Sequence, residues 1–183
     1  MQNVYPALAH FIVNSLSSTA SVLHLAKREQ KRHKNIIQPS RVMADLNALL
    51  EGLNEDLAAE YQAVIMYRTY ASLVSGPYRQ DLREFFEGEI PDELGHAAFL
   101  ADKIVALGGT PTVQPKPVTL TKDNKEMLEY ALKGEVETIE RYTKRAQQAE
   151  EAGELGIKLQ IENMIVDEST HRDDIRRMLV GWR

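Results

Sequence analysis

Residues 42–182 contain four long segments with helical periodicity and few helix breakers, and this pattern constrains the fold more than any other feature of the chain. The segments span about 42–74, 78–108, 123–150 and 156–182. Short connections at 75–77 and around Gly153 predict two antiparallel helical hairpins, and the Pro-rich stretch 108–121 is long enough to cross a bundle. The sequence therefore predicts an all-α fold, a four-helix bundle with a long crossover between the second and third helices. Asp123 and Glu126 predict a capping box at the start of the third helix.

Each segment has an inward-facing stripe, found by stepping alternately four and three residues, and each stripe carries a carboxylate near its middle. The first stripe runs Leu46, Leu50, Leu53, Leu57, Glu60, Val64, Tyr67, Ala71 and Val74. The third is likewise apolar around Glu135. The second and fourth each place a Glu three residues before a His, as Glu93 with His96 and Glu168 with His171.

These carboxylates and imidazoles are spaced to meet in the bundle interior. Residues three apart lie side by side on a helix, so each Glu and its His reach one point. Glu60 precedes Glu93 by 33 residues and Glu135 precedes Glu168 by 33, so the two hairpins offer equivalent sets of side chains. One Glu-x-x-His match is weak evidence, since chance gives about 0.5 in such a chain. Two matches with equal spacings favour an approximately twofold site.

A pair of divalent metal ions explains this cluster. The alternative is a set of satisfied polar core residues, or the ends of solvated charge runs. Four uncompensated carboxylates inside a bundle are costly, however, and two divalent cations cancel their charge. The chain has no cysteine, which excludes thiolate zinc sites and iron–sulfur clusters. Carboxylates with one imidazole per metal favour iron or manganese.

Other acidic residues compete with these ligands or support them. Glu137 and Glu140 fall off the third stripe, so Glu135 is the predicted ligand. Glu89 lies one turn before Glu93 on the same stripe. It is a candidate for lining a path by which ions enter the site. Asp92 and Asp167 directly precede the motif glutamates, and we predict that each orients the His of the opposite motif.

Composition separates an N-terminal extension, residues 1–40, from the bundle, residues 41–183. The first 28 residues contain no Asp or Glu, and a basic run follows at 27–34. An organelle-targeting sequence and a poorly ordered tail are the two alternatives for this extension. The formal net charge of −5 makes nucleic acid an unlikely partner, and no apolar stretch is long enough to span a membrane. A cytoplasmic protein is expected.

The motifs resemble those of bacterioferritin and its short ferritin-like relatives. The resemblance rests on the run 53–63, Tyr67, Asp92-Glu93-Leu94-Gly95-His96, Leu107-Gly108-Gly109-Thr110-Pro111, and Asp167-Glu168-Ser169-Thr170-His171. It implies a ferritin-like bundle and a ferroxidase that oxidises Fe(II) with O2 or hydrogen peroxide, in iron handling and storage. It also implies two irons per chain bound by Glu60, Glu93, His96, Glu135, Glu168 and His171. Tyr67 matches the family's redox-active tyrosine, the alternative being an ordinary core aromatic.

Two departures from the family pattern shape the expectations. Leu94 stands where bacterioferritins have the haem-binding Met, so no haem is expected in that mode. Twelve residues follow His171, too few for the fifth helix of the cage-forming relatives, so a homo-oligomer smaller than the storage cage is as well supported. The alternative functions are a rubrerythrin-like peroxidase, a manganese catalase or an oxygenase, and a non-enzymatic helical module. Thr138 and the missing cysteines argue against rubrerythrin.

Overall fold

The structure, a computed structural model, describes residues 39–182, and over that range it contains four α-helices and no strand. The helices are α1 (Pro39–Leu73), α2 (Arg79–Ala106), α3 (Asn124–Glu151) and α4 (Leu155–Leu179). The prediction of an all-α four-helix bundle with one long crossover is confirmed. Most of the predicted extension, residues 1–38, lies outside the described residues, and α1 begins three residues before the expected start.

The crossover between α2 and α3 lies along α1. Its hydrogen bonds to α1 join Thr112 N to Asn54 Oδ1 (2.7 Å), Lys116 N to Ala58 O (2.8 Å) and Tyr70 OH to Thr119 O (2.7 Å). Because the residue numbers rise together on both sides, the crossover runs in the same direction as α1. It therefore returns the chain to the far end of α1, where Asn124 Nδ2 donates to Ser75 O at 2.7 Å and α3 begins antiparallel to α1.

Only one half of the predicted capping box forms at the start of α3. Asp123 is the N-cap, and its carboxylate accepts hydrogen bonds from the backbone N–H groups of Lys125 and Glu126. The reciprocal half of the predicted capping box is wrong. The Thr121 hydroxyl accepts from Asp123 N at 3.1 Å and donates to Glu126 Oε2 at 2.5 Å, so it occupies the position that the Glu126 carboxylate would need.

Cross-helix contacts define the order of helices around the bundle. Side chains of α1 meet α2 through the Arg68–Glu87 ion pair and meet α3 through the Asp56–Arg145 ion pair. On the other side, α4 meets α2 through His171 next to Glu89, and meets α3 through the Lys158–Glu150 ion pair. Thus α1 and α4 are diagonal, and the α1–α3 and α2–α4 faces lie on opposite sides of the bundle.

Two apolar clusters pack the interior, one toward each end. The first includes Leu53, Leu57, Leu100, Ile104, Ile157 and Ile161, and the second includes Tyr67, Tyr70, Phe86, Leu128, Ala131 and Ile175. On every helix a buried acidic or imidazole side chain lies between the two clusters, so a polar layer crosses the middle of the bundle. Close-packed side chains above and below hold this layer in place.

In the first turns of α1, the residues of the predicted stripe are not the most buried ones. Leu49 is fully buried there, whereas Leu46 and Leu50 are half-buried. An α-helix has 3.6 residues per turn, so a strict four-three step of 3.5 residues per turn loses register over several turns. None of the described helices combines the length and apolarity of a bilayer-spanning segment.

Candidate metal centre

All six predicted ligand residues lie in the polar layer, and each is more than nine-tenths buried. They are Glu60, Glu93, His96, Glu135, Glu168 and His171. Each occupies an inward stripe position because helical geometry repeats its face every three to four residues. The competing residues Glu137 and Glu140 are exposed on the outer face of α3, so only Glu135 of the three reaches the layer.

The six side chains form two overlapping groups of potential metal ligands. Within each group one ligand atom from every residue lies within 4.8 Å of all the others. The groups are Glu60, Glu93, His96 and Glu168, and Glu93, Glu135, Glu168 and His171. Glu93 and Glu168 belong to both, so they are suited to bridge two neighbouring cations. Each position is completed by one further carboxylate and one imidazole.

The atoms facing the centre have no hydrogen-bond partner among the described residues. These buried atoms are Glu60 Oε2, both carboxylate oxygens of Glu168, and Nδ1 of both His96 and His171. His96 Nδ1 lies 3.0 Å from Glu168 Oε1, and His171 Nδ1 lies 3.4 Å from Glu168 Oε2. Buried polar atoms are normally paired, so unpaired atoms converging on one space fit cations as the missing partners. The residues present therefore fit a pair of oxygen- and nitrogen-ligated metal ions.

The outer nitrogens of the two imidazoles face carboxylates on the opposite motif. His96 Nε2 lies 3.5 Å from Asp167 Oδ2, and His171 Nε2 lies 3.5 Å from Asp92 Oδ2. This is the crossed pairing expected from sequence, at a distance longer than a good hydrogen bond. Glu89 adds a carboxylate on one side only, with its Oε2 at 3.0 Å from His171 Nε2.

Two buried tyrosines hold the terminal carboxylates. The Tyr67 hydroxyl donates to Glu135 Oε1, and the Tyr142 hydroxyl donates to Glu60 Oε1 at 2.6 Å. Burial raises the pKa of both phenols well above the ordinary value, and the nearby carboxylates raise it further, so both stay protonated donors. Sequence reasoning did not assign Tyr142 a role, although it follows Glu135 by seven residues as Tyr67 follows Glu60.

The centre has an internal symmetry with a constant offset of 75 residues. The related pairs are Glu60 and Glu135, Tyr67 and Tyr142, Asp92 and Asp167, Glu93 and Glu168, and His96 and His171. Each tyrosine and each aspartate contacts a residue of the other half, so the contacts cross between the hairpins. Glu89 breaks the symmetry because its counterpart is Met164, a buried apolar residue.

In the absence of metal the charges of the centre are balanced by protons. Burial lowers the pKa of His96, but contacts with Glu168 and Glu60 outweigh it and raise the pKa to about 10. The same opposition at His171, where Glu168 and Glu89 prevail, gives a pKa of about 11. Burial opposes ionisation of Glu168, yet the two imidazoles lower its pKa below the ordinary value. Burial and neighbouring carboxylates raise the pKa of Glu93 and Glu135.

A buried ion pair next to the centre was not expected from sequence. Arg145 Nε lies 2.6 Å from Asp56 Oδ2, and both side chains are fully enclosed. A Cβ placed on Gly52 would lie 1.1 Å from Arg145 Nη1, so the guanidinium uses the space left by a glycine. Gly52 is the signal that sequence reasoning missed, because a glycine inside a long helix commonly marks a close approach.

Comparisons with known proteins identify the family of the chain. A family model described as the ferritin-like domain matches residues 50–183. A solved structure described as a ferritin-like, diiron-carboxylate protein from Bacillus anthracis is 52% identical, with a TM-score of 0.73 over 74% of this chain and 97% of its own. The bacterioferritin of Desulfovibrio desulfuricans, whose structure is described as showing a diiron site, is 26% identical, with a TM-score of 0.69 over 76% of this chain and 82% of its own. A bacterioferritin from Brucella melitensis is 27% identical over 72% of this chain and 82% of its own.

Proposed function

Because the chain belongs to the ferritin-like domain family, we propose that it is a diiron ferroxidase that oxidises Fe(II) with O2 or hydrogen peroxide. The observation that carries this proposal is the convergence of unpaired Nδ1 and carboxylate oxygen atoms in two overlapping ligand groups. The similarity to a diiron-carboxylate protein from Bacillus anthracis supports iron as the metal. Its role is iron handling and detoxification, with storage as a further step.

Each part of the polar layer has a task in this function. His96 and His171 would hold the metal ions through Nδ1, and Asp167 and Asp92, 3.5 Å from the outer Nε2 atoms, would keep the imidazoles aimed inward. When bound, two Fe(II) ions would supply one electron each, which with two protons reduce one O2 to hydrogen peroxide or one hydrogen peroxide to two waters. The protein's own contribution is a rigid set of ligands between two apolar clusters.

We propose that Tyr67 is redox-active as well as structural. Its hydroxyl donates to Glu135 Oε1, so when peroxide takes one electron from the phenol, the phenol proton can pass to that carboxylate. Tyr142 bonds Glu60 in the equivalent way. A tyrosyl radical signal in electron paramagnetic resonance after peroxide addition, absent in Tyr67→Phe, tests this role. A radical that persists in Tyr67→Phe would assign it to another residue.

The decisive experiment is an anaerobic titration of metal-free protein with Fe(II), followed by O2 or peroxide. We expect about two irons per chain, oxidised rapidly. Glu135→Ala should lose rapid oxidation, whereas Glu137→Ala on the exposed face of the same helix should retain it. Failure of the unaltered protein to bind or oxidise iron would overturn the proposal.

The second candidate is a manganese enzyme on the same bundle, a catalase or peroxidase. It is favoured by the oxygen-rich donor set, which suits manganese as well as iron. Metal analysis after expression with both metals, followed by a peroxide consumption assay, separates the two. Substrate-dependent O2 uptake would instead indicate an oxygenase.

The remaining expectations also belong to the proposal. We propose a cytoplasmic homo-oligomer of two or more chains, supported by the exposed apolar side chains of Leu155, Leu159 and Val166 on α4. Light scattering tests the oligomeric state. The absence of haem, expected because Leu94 replaces a methionine, stays a prediction that a Soret band in the purified protein would contradict.

A further inference from the structure

Two polar contacts join α1 and α3 one helical turn apart. The first is the enclosed ion pair, in which Arg145 Nε and Nη2 lie 2.6 and 3.3 Å from the two carboxylate oxygens of Asp56. The second is the hydrogen bond that the Tyr142 hydroxyl donates to Glu60 Oε1 at 2.6 Å. Asp56 precedes Glu60 by four residues on α1, and on α3 the tyrosine precedes the arginine by three. Each helix therefore presents both of its partners on one face.

The hydrogen bond from Tyr142 leaves Glu60 one oxygen for the metal centre. Glu60 Oε2 is buried, has no hydrogen-bond partner among the described residues and lies 3.8 Å from His96 Nδ1. The direction of Oε2 depends on where Oε1 is held, because both oxygens belong to one rigid carboxylate. A carboxylate can pivot about a single hydrogen bond. The placement of α3 against α1 therefore decides where Oε2 points.

The guanidinium of Arg145 restricts that placement because it is held on several sides. Its Nη1 donates to Gln148 Oε1, and its Nη2 lies 3.7 Å from Glu55 Oε2 in addition to the contact with Asp56. A planar guanidinium that contacts both oxygens of a carboxylate is fixed in orientation as well as in distance. It occupies the space beside Gly52, where a Cβ would lie 1.1 Å from Nη1.

Only one half of the pseudo-symmetric centre has such an ion pair. At the positions related by the 75-residue offset, the other half has apolar or aromatic side chains, all fully buried in one apolar cluster. The aspartate, the arginine and the glycine correspond there to Ala131, Tyr70 and Met127. The Tyr67–Glu135 hydrogen bond therefore has apolar packing beside it, where its counterpart has an ion pair.

Stability alone does not explain the ion pair. Enclosed charges lose their hydration, and apolar side chains of similar size are often as stabilising at such positions. Burial raises the pKa of Asp56 even though the Arg145 guanidinium at 2.6 Å lowers it, so the loss of hydration outweighs the attraction. The other half of the molecule packs the same positions with apolar groups. The distinctive property of the pair is geometric, because it permits fewer arrangements of the two helices than an apolar contact does.

We propose that Asp56 and Arg145 are positioning residues for the metal position that contains Glu60. By holding α1 against α3 one turn away, the pair keeps the Tyr142 hydroxyl where it directs Glu60 Oε2 toward His96. The pair thereby raises the affinity of this position for a divalent cation, and the other metal position does not depend on it. The inference rests on the proposed function, because it concerns metal ions bound between these ligands.

The test measures the affinity of one metal position at a time. His171→Ala removes the imidazole of one ligand group and leaves the position of Glu60 and His96, which we call the Glu60 position. His96→Ala leaves the position of Glu135 and His171, which we call the Glu135 position. Co(II) is titrated into each metal-free protein while its visible absorption is followed, which gives a Kd without turnover.

Asp56→Leu/Arg145→Met, made in both backgrounds, replaces the ion pair by apolar side chains. We expect it to raise the Kd of the Glu60 position about tenfold or more and to shift the Co(II) bands there, with the Kd of the Glu135 position within about twofold. Arg68→Met/Glu87→Leu is the matched control, because it removes an exposed ion pair between α1 and α2. It should change neither Kd by more than about twofold.

A steric variant displaces the guanidinium without removing a charge. Gly52→Ala places a Cβ where Arg145 Nη1 lies, so the guanidinium must shift. We expect a higher Kd at the Glu60 position, with the Glu135 position within about twofold. Gly156→Ala, at an exposed glycine of α4 with open space around it, should alter neither. Melting temperatures identify any variant that fails to fold, and Gly52→Ala decides the question if the double variant does.

The outcomes separate this inference from the proposed function. A rise in Kd at both positions, or at neither, would overturn the positioning role even if the unaltered protein binds two metals and oxidises Fe(II). A selective rise in a protein that oxidises no Fe(II) would overturn the ferroxidase proposal and leave the positioning role standing. An unaltered protein that binds no Co(II) would overturn both.

Discussion

Loading the metal-free protein with two divalent ions near pH 7 should release about four protons per chain. The number follows from the structure. The pKa values of about 10 for His96 and about 11 for His171 keep both imidazoles protonated in the absence of metal. Burial raises the pKa of Glu93 and Glu135, so we expect each to keep a proton as well. Two divalent cations replace these four positive charges.

The direction of the pH dependence follows from the same protons. Each must leave before its atom binds metal, so metal affinity rises with pH, by up to about a hundredfold per metal and per pH unit. Stability of the metal-free protein has the opposite trend. The raised pKa values of His96 and His171 mean that their stabilising contribution is complete below about pH 6.5 and is lost as the pH rises toward 10 and 11.

The assay is isothermal titration calorimetry with Co(II), which is not oxidised under these conditions. Titrations in several buffers of different ionisation enthalpy at one pH give the number of protons released as a slope. Glu137→Gln is the control, because this exposed carboxylate on α3 should not alter the slope. Release of fewer than about two protons would show that the imidazoles are neutral without metal and would refute the reasoning. A Co(II) affinity that does not change between about pH 6 and 8 would refute it equally.

Three further predictions concern residues around the centre. Arg145→Met should lower the free energy of unfolding by about 3–5 kcal/mol, because it leaves the buried Asp56 carboxylate unpaired. Adding Asp56→Leu should recover most of that loss, as measured by chemical denaturation. Equal losses in the single and the double variant would contradict a buried ion pair. Gly134→Ala should raise the free energy of unfolding by about 0.5–1 kcal/mol, since alanine favours the helix and its Cβ has room. Asp92→Asn and Asp167→Asn should each weaken Co(II) binding about 10- to 100-fold, and unchanged affinity would remove them as positioning residues.

The fold and the ligand residues were accessible from sequence because both depend on local geometry. Helical periodicity fixes which side chains share a face, so Glu93 with His96 and Glu168 with His171 could be placed inward without knowing their neighbours. The equal spacings of 33 residues implied two equivalent hairpins. The predicted bundle with one long crossover follows from the lengths of the segments and their connections, and the structure confirms it.

Other features depend on contacts between helices, which no local pattern specifies. Tyr142 pairs with Glu60, and Glu89 meets His171, only because of how far each helix is shifted along its neighbours. From the sequence alone, Asp56 is indistinguishable from a surface acid. Only the structure shows that Arg145 pairs with it in the space beside Gly52.

By itself, the sequence determined four amphipathic helices and an inward set of six candidate metal ligands, since the rise and turn of a helix are constant along any chain. The tertiary structure alone decided which side chains share each ligand group, which carboxylate is neutralised by a buried arginine, and that a pocket lined by Glu93 and Glu135 reaches the centre between α1 and α3. These features depend on the packing of all four helices together, because a small rotation or shift of one helix changes every contact that it makes with the others.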